Sequence, residues 1–468
     1  MSISGGFIMP HPPVLVAEVG MGEQYKARKT LEAMEKVAKE IAEIKPKTII
    51  IISPHGPLFS DAITIRDDEL LFGDLSAFEA RQVRVTKKND FDLKEDIIIE
   101  AMECGIPIAR INDDLADRFD IDKNLDHSVL VPLHFIDKKY SDYELVSINY
   151  GFLSASELYK FGICIRNVIE HKSKSIVVIA SGDLSHKLMD TDNYSFSENG
   201  VKFDQMYQKA ILGKDIVSAI NFDPAICEEA GECGKKSIDV LLGVLESHDF
   251  NVERYSYEYP FGVGYSVISF KNIKRDNSRK IFEAIIEDKE CKLKVIKDNE
   301  SDYVKLARKA IEKYILKEKK ISLPKSSSKE LFSDKAGVFV SLKTDSGLRG
   351  CIGTTSPICK NLGEEIIENA IKSASMDSRF ETVDKSELCS LIISVDVLSK
   401  PEFINDIDEL DPKIYGLIVE SDYKRGLLLP NLEGINSVEE QIKIALNKGG
   451  INPHEVYKMY RFTVERHK

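Results

Sequence analysis

Three histidines stand just past apolar runs: His11 after GGFIMP, His55 after TIIIISP and His186 after SIVVIASGDLS. Such runs form buried strands, and in an open parallel sheet the residues beyond the carboxyl ends of strands line one crevice, however distant in sequence. Imidazoles gathered there can bind a metal through neutral nitrogen or relay protons near neutral pH. A metal needs a further donor. Glu232, in EEAGECGKKSIDVLLGVL, lies in a turn flanked by glycines before an amphipathic helix. Its carboxylate would complete the 2-His-1-carboxylate set that suits Fe(II), although an acid at a helix start also has an ordinary electrostatic reason to be there.

His127, in LDHSVLVPLHF, opens a predicted helix beside Asp126 and can donate a hydrogen bond into the same crevice. His134, seven residues on, is expected in the core. His171 and His248 read as solvated helix ends, and His454 and His467 as parts of polar C-terminal segments.

The elements that must hold these residues alternate. An amphipathic segment around Gln24 to Ile44 precedes TIIIIS, and SIVVIAS follows further on, so the first part predicts an α/β domain with a mainly parallel central sheet covered by helices. After YPFGVGYSVISF the chain turns charged, with KRDNSRK at its start, and Ile281 to Ile286 is compatible with a helix. The division predicted is a metal-binding domain over 1–272, a charged linker over 273–297 and a separate α+β domain over 298–468. In the last, a helical pattern at Tyr303 to Ile315 leads to a polar loop, LPKSSSKELFSD. Strand-like AGVFVSLK, SLIISVDVL, YGLIVES and RGLLLP follow, with helices near Leu362 to Ser375 and Val438 to Lys448.

At 468 residues the chain exceeds what one core of about 250–300 residues usually organises. A formal charge of −13 argues against general nucleic-acid binding, which relies on clustered Lys and Arg. No apolar run approaches the roughly 20 residues of a membrane span, and the start lacks a secretory pattern, so the expected location is cytoplasmic. The eight cysteines form no CxxC pair and are expected as free thiols.

Taken in order, MPHPP, SPHG, LDHSVLVPL, SGDLSH, EAGECG and FGVGYSV resemble the LigB-like class III extradiol ring-cleavage dioxygenases over about Gly5 to Phe270. The resemblance implies Fe(II) held by His11, His55 and Glu232, with Zn or Cu as alternatives. It implies His186 as acid/base residue and His127 on the substrate side. The implied reaction is extradiol cleavage of a catechol-like or aminophenol-like aromatic by O2. The related Memo family keeps the fold with a cysteine near the family glutamate, which makes Cys233 the competitor of Glu232. It also supplies a rival reading, a metal-binding or protein-interaction module acting with a radical-SAM partner. Metal-dependent hydrolysis would fit the same ligands. An oligomer is compatible with any of these readings.

GVFVSLKTDSGLRGCIG, SASMDSRF, SVDVLSKPE and GLLLP resemble the AMMECR family over about Asp298 to His467. The pairing of both domains resembles the fused proteins of the AmmeMemoRadiSam system, protein A kind. LRGCIG is expected as a tight turn, with Gly347, Gly350 and Gly353 allowing positive φ or close approach. Arg349 could then bind an anion and Cys351 act as nucleophile. The competing reading makes Arg349 a staple and Cys351 a small buried residue, since no histidine lies nearby in sequence to activate the thiol.

Overall fold

The structure is a computed structural model that describes residues 3–344, 347–432, 435 and 437–468. It divides into two compact units, Met1–Glu290 and Cys291–Lys468.

Among the described residues the first unit contains ten strands: β1 Gly5–Met9, β2 Thr48–Ser53, β3 Ile63–Arg66, β4 Leu70–Leu75, β5 Ala80–Lys88, β6 Ile108–Ile111, β7 Glu144–Asn149, β8 Ile176–Ser181, β9 His248–Glu258 and β10 Tyr265–Arg275. Eight of them form one sheet in the order β6-β3-β7-β2-β8-β1-β10-β9, while β4 and β5 form a separate hairpin. Its centre, β7-β2-β8-β1, is parallel; β10 and β9 continue it antiparallel, and β3 runs antiparallel to β7. The sheet is therefore mixed, with the expected parallel arrangement at its middle.

Burial on both faces explains the unbroken apolar runs. In β2, Ile50 and Ile52 enter one core with Leu158, Phe161 and Ile238, whereas Ile49 and Ile51 enter the other with Val37, Ile41 and Val129. The helices covering these faces carry caps that fix where they start. Ser154 and Glu157 form a reciprocal capping box at Ala155–Glu170, and Asp126 accepts from Ser128 N–H at His127–Asp137. A cap of this kind typically contributes about 1 kcal/mol.

The region expected as a charged linker is not irregular. β10 runs on to Arg275, and an 18-residue helix occupies Ile281–Asp298. Ile285 is fully buried, with Ile281 and Phe282 packed beside it on the first core. One short apolar stripe is enough to anchor a helix whose remaining positions are solvated and charged. The division between the two units falls inside this helix.

The second unit holds two four-stranded sheets. Its strands are β11 Val338–Thr344, β12 Gly347–Gly353, β13 Ile392–Leu398, β14 Glu402–Ile404, β15 Gly416–Ser421, β16 Lys424–Leu428, β17 Lys458–Phe462 and β18 Val464–His467. The sheet orders are β12-β11-β13-β18 and β14-β17-β15-β16. Helices Asp302–Lys317 and Leu362–Ser375 bury Val304, Ala307, Ile366 and Ala370 against Val340, Leu342 and Val395 of the first sheet. This is the separate α+β arrangement. Among the described residues no helix is long and apolar enough to cross a membrane.

Candidate metal centre

Because β2, β8 and β1 are adjacent and parallel, the segments leaving their carboxyl ends meet. His11 comes two residues after β1, His55 two after β2 and Asp183 two after β8. His11 Nε2 and His55 Nε2 stand 3.0 Å apart. Cys233 Sγ lies 3.7 Å from His11 Nε2, and the donor atoms of these three residues all fall within 4.8 Å of one another. Asp183, His186 and Cys233 make an overlapping group within the same limit.

The tautomer of His11 follows from its neighbours. Ser181 Oγ donates to Ser128 O at 2.5 Å, so its oxygen must accept from His11 Nδ1, 3.0 Å away. That leaves the His11 Nε2 lone pair aimed into the cluster, the usual orientation of a ligating imidazole whose other nitrogen is tied to the protein. His11 also donates its backbone N–H to Asp183 Oδ1 at 3.1 Å.

A second set of hydrogen bonds brings the Cys233 turn against the Asp183 loop. Asp183 N–H donates to Cys233 Sγ at 3.3 Å, Gly234 N–H donates to Asp183 O at 2.9 Å, and His186 N–H donates to Ala230 O at 3.1 Å. Glycine is required where the two backbones touch, since a Cβ on Gly182 would lie 2.2 Å from Gly234 Cα. Tyr150, just past β7, donates its hydroxyl to Cys233 O at 3.1 Å.

Glu232, expected as the third ligand, is not among the residues gathered there. Its Oε2 accepts Lys235 N–H at 2.7 Å, closing the first turn of helix Lys235–Val244. The carboxylate thus fills the helix-start role that also fits its sequence position, and Cys233 faces the histidines.

His127 stacks on His55, with ring centroids 4.7 Å apart at 22°, and meets His11 edge-on at 5.5 Å. Phe78 presents an edge to the His127 ring at 5.3 Å. His186 lies at the periphery, where Tyr194 Oη is 3.4 Å from its Nδ1 and its Nε2 is buried with no hydrogen-bond partner among the described residues. His134 is half-buried and elsewhere, against Phe135.

Burial makes these imidazoles neutral at pH 7. It lowers His11 well below 6.5, with His55, His127 and His186 adding repulsion. Burial likewise lowers His55, and pushes His127 and His186 down to about 4. Neutral imidazole is the ligating form. Desolvation raises the Cys233 thiol, reinforced by the Asp183 charge, and raises Asp183 itself to about 7 despite the His11 N–H. Burial thus favours the protonated thiol and draws the Asp183 carboxyl toward neutrality, and a bound cation would shift both toward the charged form.

The residues fit a metal ion. Ligands at about 2.0–2.3 Å from one ion, at angles of about 90–110°, stand roughly 3.0–3.7 Å apart. The two separations from His11 Nε2, 3.0 and 3.7 Å, lie at the ends of that range, and all three donor atoms fall within 4.8 Å of one another. Sequence reasoning had not singled out Asp183, although its position two residues past a strand end repeats that of His11 and His55.

The second-unit candidates look different. LRGCIG is not a turn but lies within β12, paired with β11. Gly350 is needed because a Cβ there would sit 2.2 Å from Ser373 O of the covering helix. Arg349 donates to both carboxylate oxygens of Glu387, at 2.7 and 3.0 Å, and to Glu381 O at 2.8 Å, so its fork is already engaged. Cys351 Sγ accepts from Ser341 Oγ at 3.2 Å, and its N–H donates to Asp377. Asp345 and Ser346 of the same motif lie outside the described residues.

His248 is not a solvated helix end. It is buried at the start of β9, with Nδ1 2.9 Å from Glu246 O, because its side chain falls on the inward face of that strand. His467 stacks on Tyr303 at 3.9 Å.

A central parallel sheet with histidines and a thiol gathered at its carboxyl edge defines a metal-site class of α/β protein. The model of the family described as the catalytic LigB subunit of aromatic ring-opening dioxygenase matches residues 5–268, and the chain belongs to that family through its first unit. The AMMECR1 family model matches residues 304–467. A protein of Clostridium acetobutylicum is 42% identical over 100% of both chains. A protein of Thermotoga maritima is 50% identical, covering 36% of this chain and 98% of its own. Among solved structures, one from Pyrococcus horikoshii is 38% identical, covers 35% of this chain and 88% of its own, and has a TM-score of 0.33. One from Escherichia coli is 12% identical, covers 57% and 99%, and has a TM-score of 0.37.

Proposed function

We propose that the first unit is a mononuclear metal-dependent oxidoreductase that opens a catechol-like or aminophenol-like ring with O2. Its ligands are His11 Nε2, His55 Nε2 and Cys233 Sγ, with Asp183 beside them. The carrying observation is that two residues suited to proton handling, His127 and His186, converge on the donor cluster in addition to the ligands themselves. When bound, Fe(II) would supply Lewis acidity toward the two substrate oxygens and an electron path to O2.

The chain's own contributions are positional. Ser181 holds the His11 tautomer, and His127, packed between His55 and Phe78, walls one side. His186, neutral and with Nε2 unpartnered, takes a proton from a substrate hydroxyl; the anionic oxygen so formed raises the basicity of the imidazole and stabilises the transfer.

Anaerobically purified protein should contain about one equivalent of iron and consume O2 when given a catechol or aminophenol. His186→Ala should keep the metal and lose roughly 10²–10⁴-fold in turnover. Undiminished ring cleavage by that variant would remove His186 from the mechanism.

A second reading is favoured by the thiol. Cys233 in place of a carboxylate suits Zn or Cu better than a glutamate would, and so fits a metal-binding module; a radical-SAM partner for it comes from the family resemblance alone. Zinc or copper in the purified protein, with no substrate-dependent O2 uptake, would select it.

A further inference from the structure

The turn that opens helix His127–Asp137 touches both ligand histidines. Ser128 O accepts from Ser181 Oγ at 2.5 Å, and that hydroxyl oxygen is 3.0 Å from His11 Nδ1. His127 stacks on His55 with ring centroids 4.7 Å apart. Asp126 caps this turn: its Oδ1 accepts Ser128 N–H at 2.8 Å, and the Ser128 hydroxyl as well. One oxygen is enough for that work, and an Asn or Ser would cap as well. The other oxygen, Oδ2, is buried with no hydrogen-bond partner among the described residues.

A buried carboxylate oxygen is ordinarily paired, because desolvated charge without a partner is costly. Arg66, the last residue of β3 and only 2% exposed, feels the Asp126 charge but is occupied elsewhere. Its Nη1 and Nη2 donate to Asp122 O at 3.1 Å and Asn124 O at 2.9 Å, which fixes the loop leading into Asp126. Asp122 and Asp68 act on the same guanidinium, so it is not reserved for Asp126. The Asp126 charge also reaches the cluster. Burial lowers both His55 and His127, and in both the Asp126 charge works against that effect. Asp126 belongs to neither group of donor atoms gathered at the centre, so it acts on an ion there through space and not as a ligand.

Resting on the metal centre of the reading given under Proposed function, we propose that Asp126 is a positioning residue whose carboxylate, one layer behind His55 and His127, stabilises the loaded centre by charge and sets its affinity for a divalent cation. The cap explains one oxygen of this side chain. The arriving cation explains the other, since it supplies the positive charge that the unpaired oxygen lacks. Asp126 touches neither ion nor substrate, and groups that support ligands from behind in this way are typically worth about 10–100-fold in metal affinity.

The test is anaerobic equilibrium dialysis of the full-length protein against Fe(II), with Zn(II) in parallel, for the wild type, Asp126→Asn and Asp126→Glu, each also melted without metal. Asn keeps the cap and removes the charge, whereas Glu keeps the charge and is not among the good caps. The two readouts should therefore rank the variants in opposite orders. Asp126→Asn should melt within about 2 °C of the wild type and bind both ions roughly 10-fold or more weakly. Asp126→Glu should melt lower than Asp126→Asn and yet bind the ions more tightly than it does. Wild-type affinity in Asp126→Asn would overturn the assignment and leave the metal centre intact. So would an Asp126→Glu that binds no more tightly than Asp126→Asn, the pattern of a cap alone. If Asp126→Asn does not fold, Asp126→Ser takes its place, and failure of both to fold would make the role structural and overturn the assignment. A wild-type protein that binds neither ion would overturn the metal centre itself, and this inference with it.

Discussion

Glu232 and Cys233 are adjacent, yet their side chains do different things. The carboxylate closes a helix turn on Lys235 N–H, whereas the thiol stands 3.7 Å from His11 Nε2 and receives Asp183 N–H. Cys233→Ser should therefore lower bound metal per chain at least several-fold. Glu232→Gln should keep the metal and cost about 1–2 kcal/mol of stability, since a neutral amide oxygen still accepts the bond but more weakly. Metal analysis together with urea unfolding reads both outcomes, and the reverse pattern would restore Glu232 as ligand. His134, outside the cluster, allows a separate test of burial. Desolvation depresses it from 6.5 to about 4 in the folded chain, so the unfolded chain binds the extra proton between those values. Stability is then present above about pH 6.5 and lost as the pH falls through that window, by up to about 3 kcal/mol for this one group. His134→Leu, which removes the titration, should unfold at lower pH than the wild type in an acid titration followed by circular dichroism. An unchanged midpoint would show that His134 is not part of acid unfolding.

At the scale of elements, the cluster depends on how closely two loops approach. Gly182 follows β8 and Gly234 precedes helix Lys235–Val244; a Cβ on Gly234 would meet Asp183 O at 2.7 Å, and one on Gly182 would meet Gly234 Cα at 2.2 Å. Gly234→Ala should push the Cys233 turn away from Asp183, with an overpacking cost of about 1–3 kcal/mol and weaker metal binding. Calorimetry and metal titration check this; an alanine variant as stable and as metal-competent as wild type would show that the contact has slack. Elements also mark where sequence reasoning works and where it stops. His11, His55 and the parallel centre were legible because strands buried on both faces leave long apolar runs with polar residues at their ends. The Ile281–Asp298 helix was only partly legible, since Ile281, Phe282 and Ile285 are few apolar residues among many charges. LRGCIG looked like a turn from its glycines, but Gly350 is there for the close approach of Ser373 O across a paired strand. Cys233 and Glu232 were both legible as candidates, but which of them turns toward the histidines was not, because the direction of a side chain in a four-residue turn is set by the loop it packs on.

At the scale of the whole chain, each unit has its own core, and the family matches at 5–268 and 304–467 fall one in each. The full-length protein should accordingly unfold in more than one calorimetric transition, and a single stability value would not describe it. A metal held by His11, His55 and Cys233 binds the folded first unit, so it should raise only that unit's transition, by about 2.7 kcal/mol at a free concentration 100 times Kd. The other transition can be identified independently. Arg349 is mostly buried and forked onto Glu387, itself partly buried, so Arg349→Ala should lower the second unit's transition by about 1–2 kcal/mol and leave the metal-sensitive one in place. If the metal moved both transitions equally, or if Arg349→Ala moved the metal-sensitive one, the two units would be one folding unit and the strap at Arg349 would bear on the metal centre.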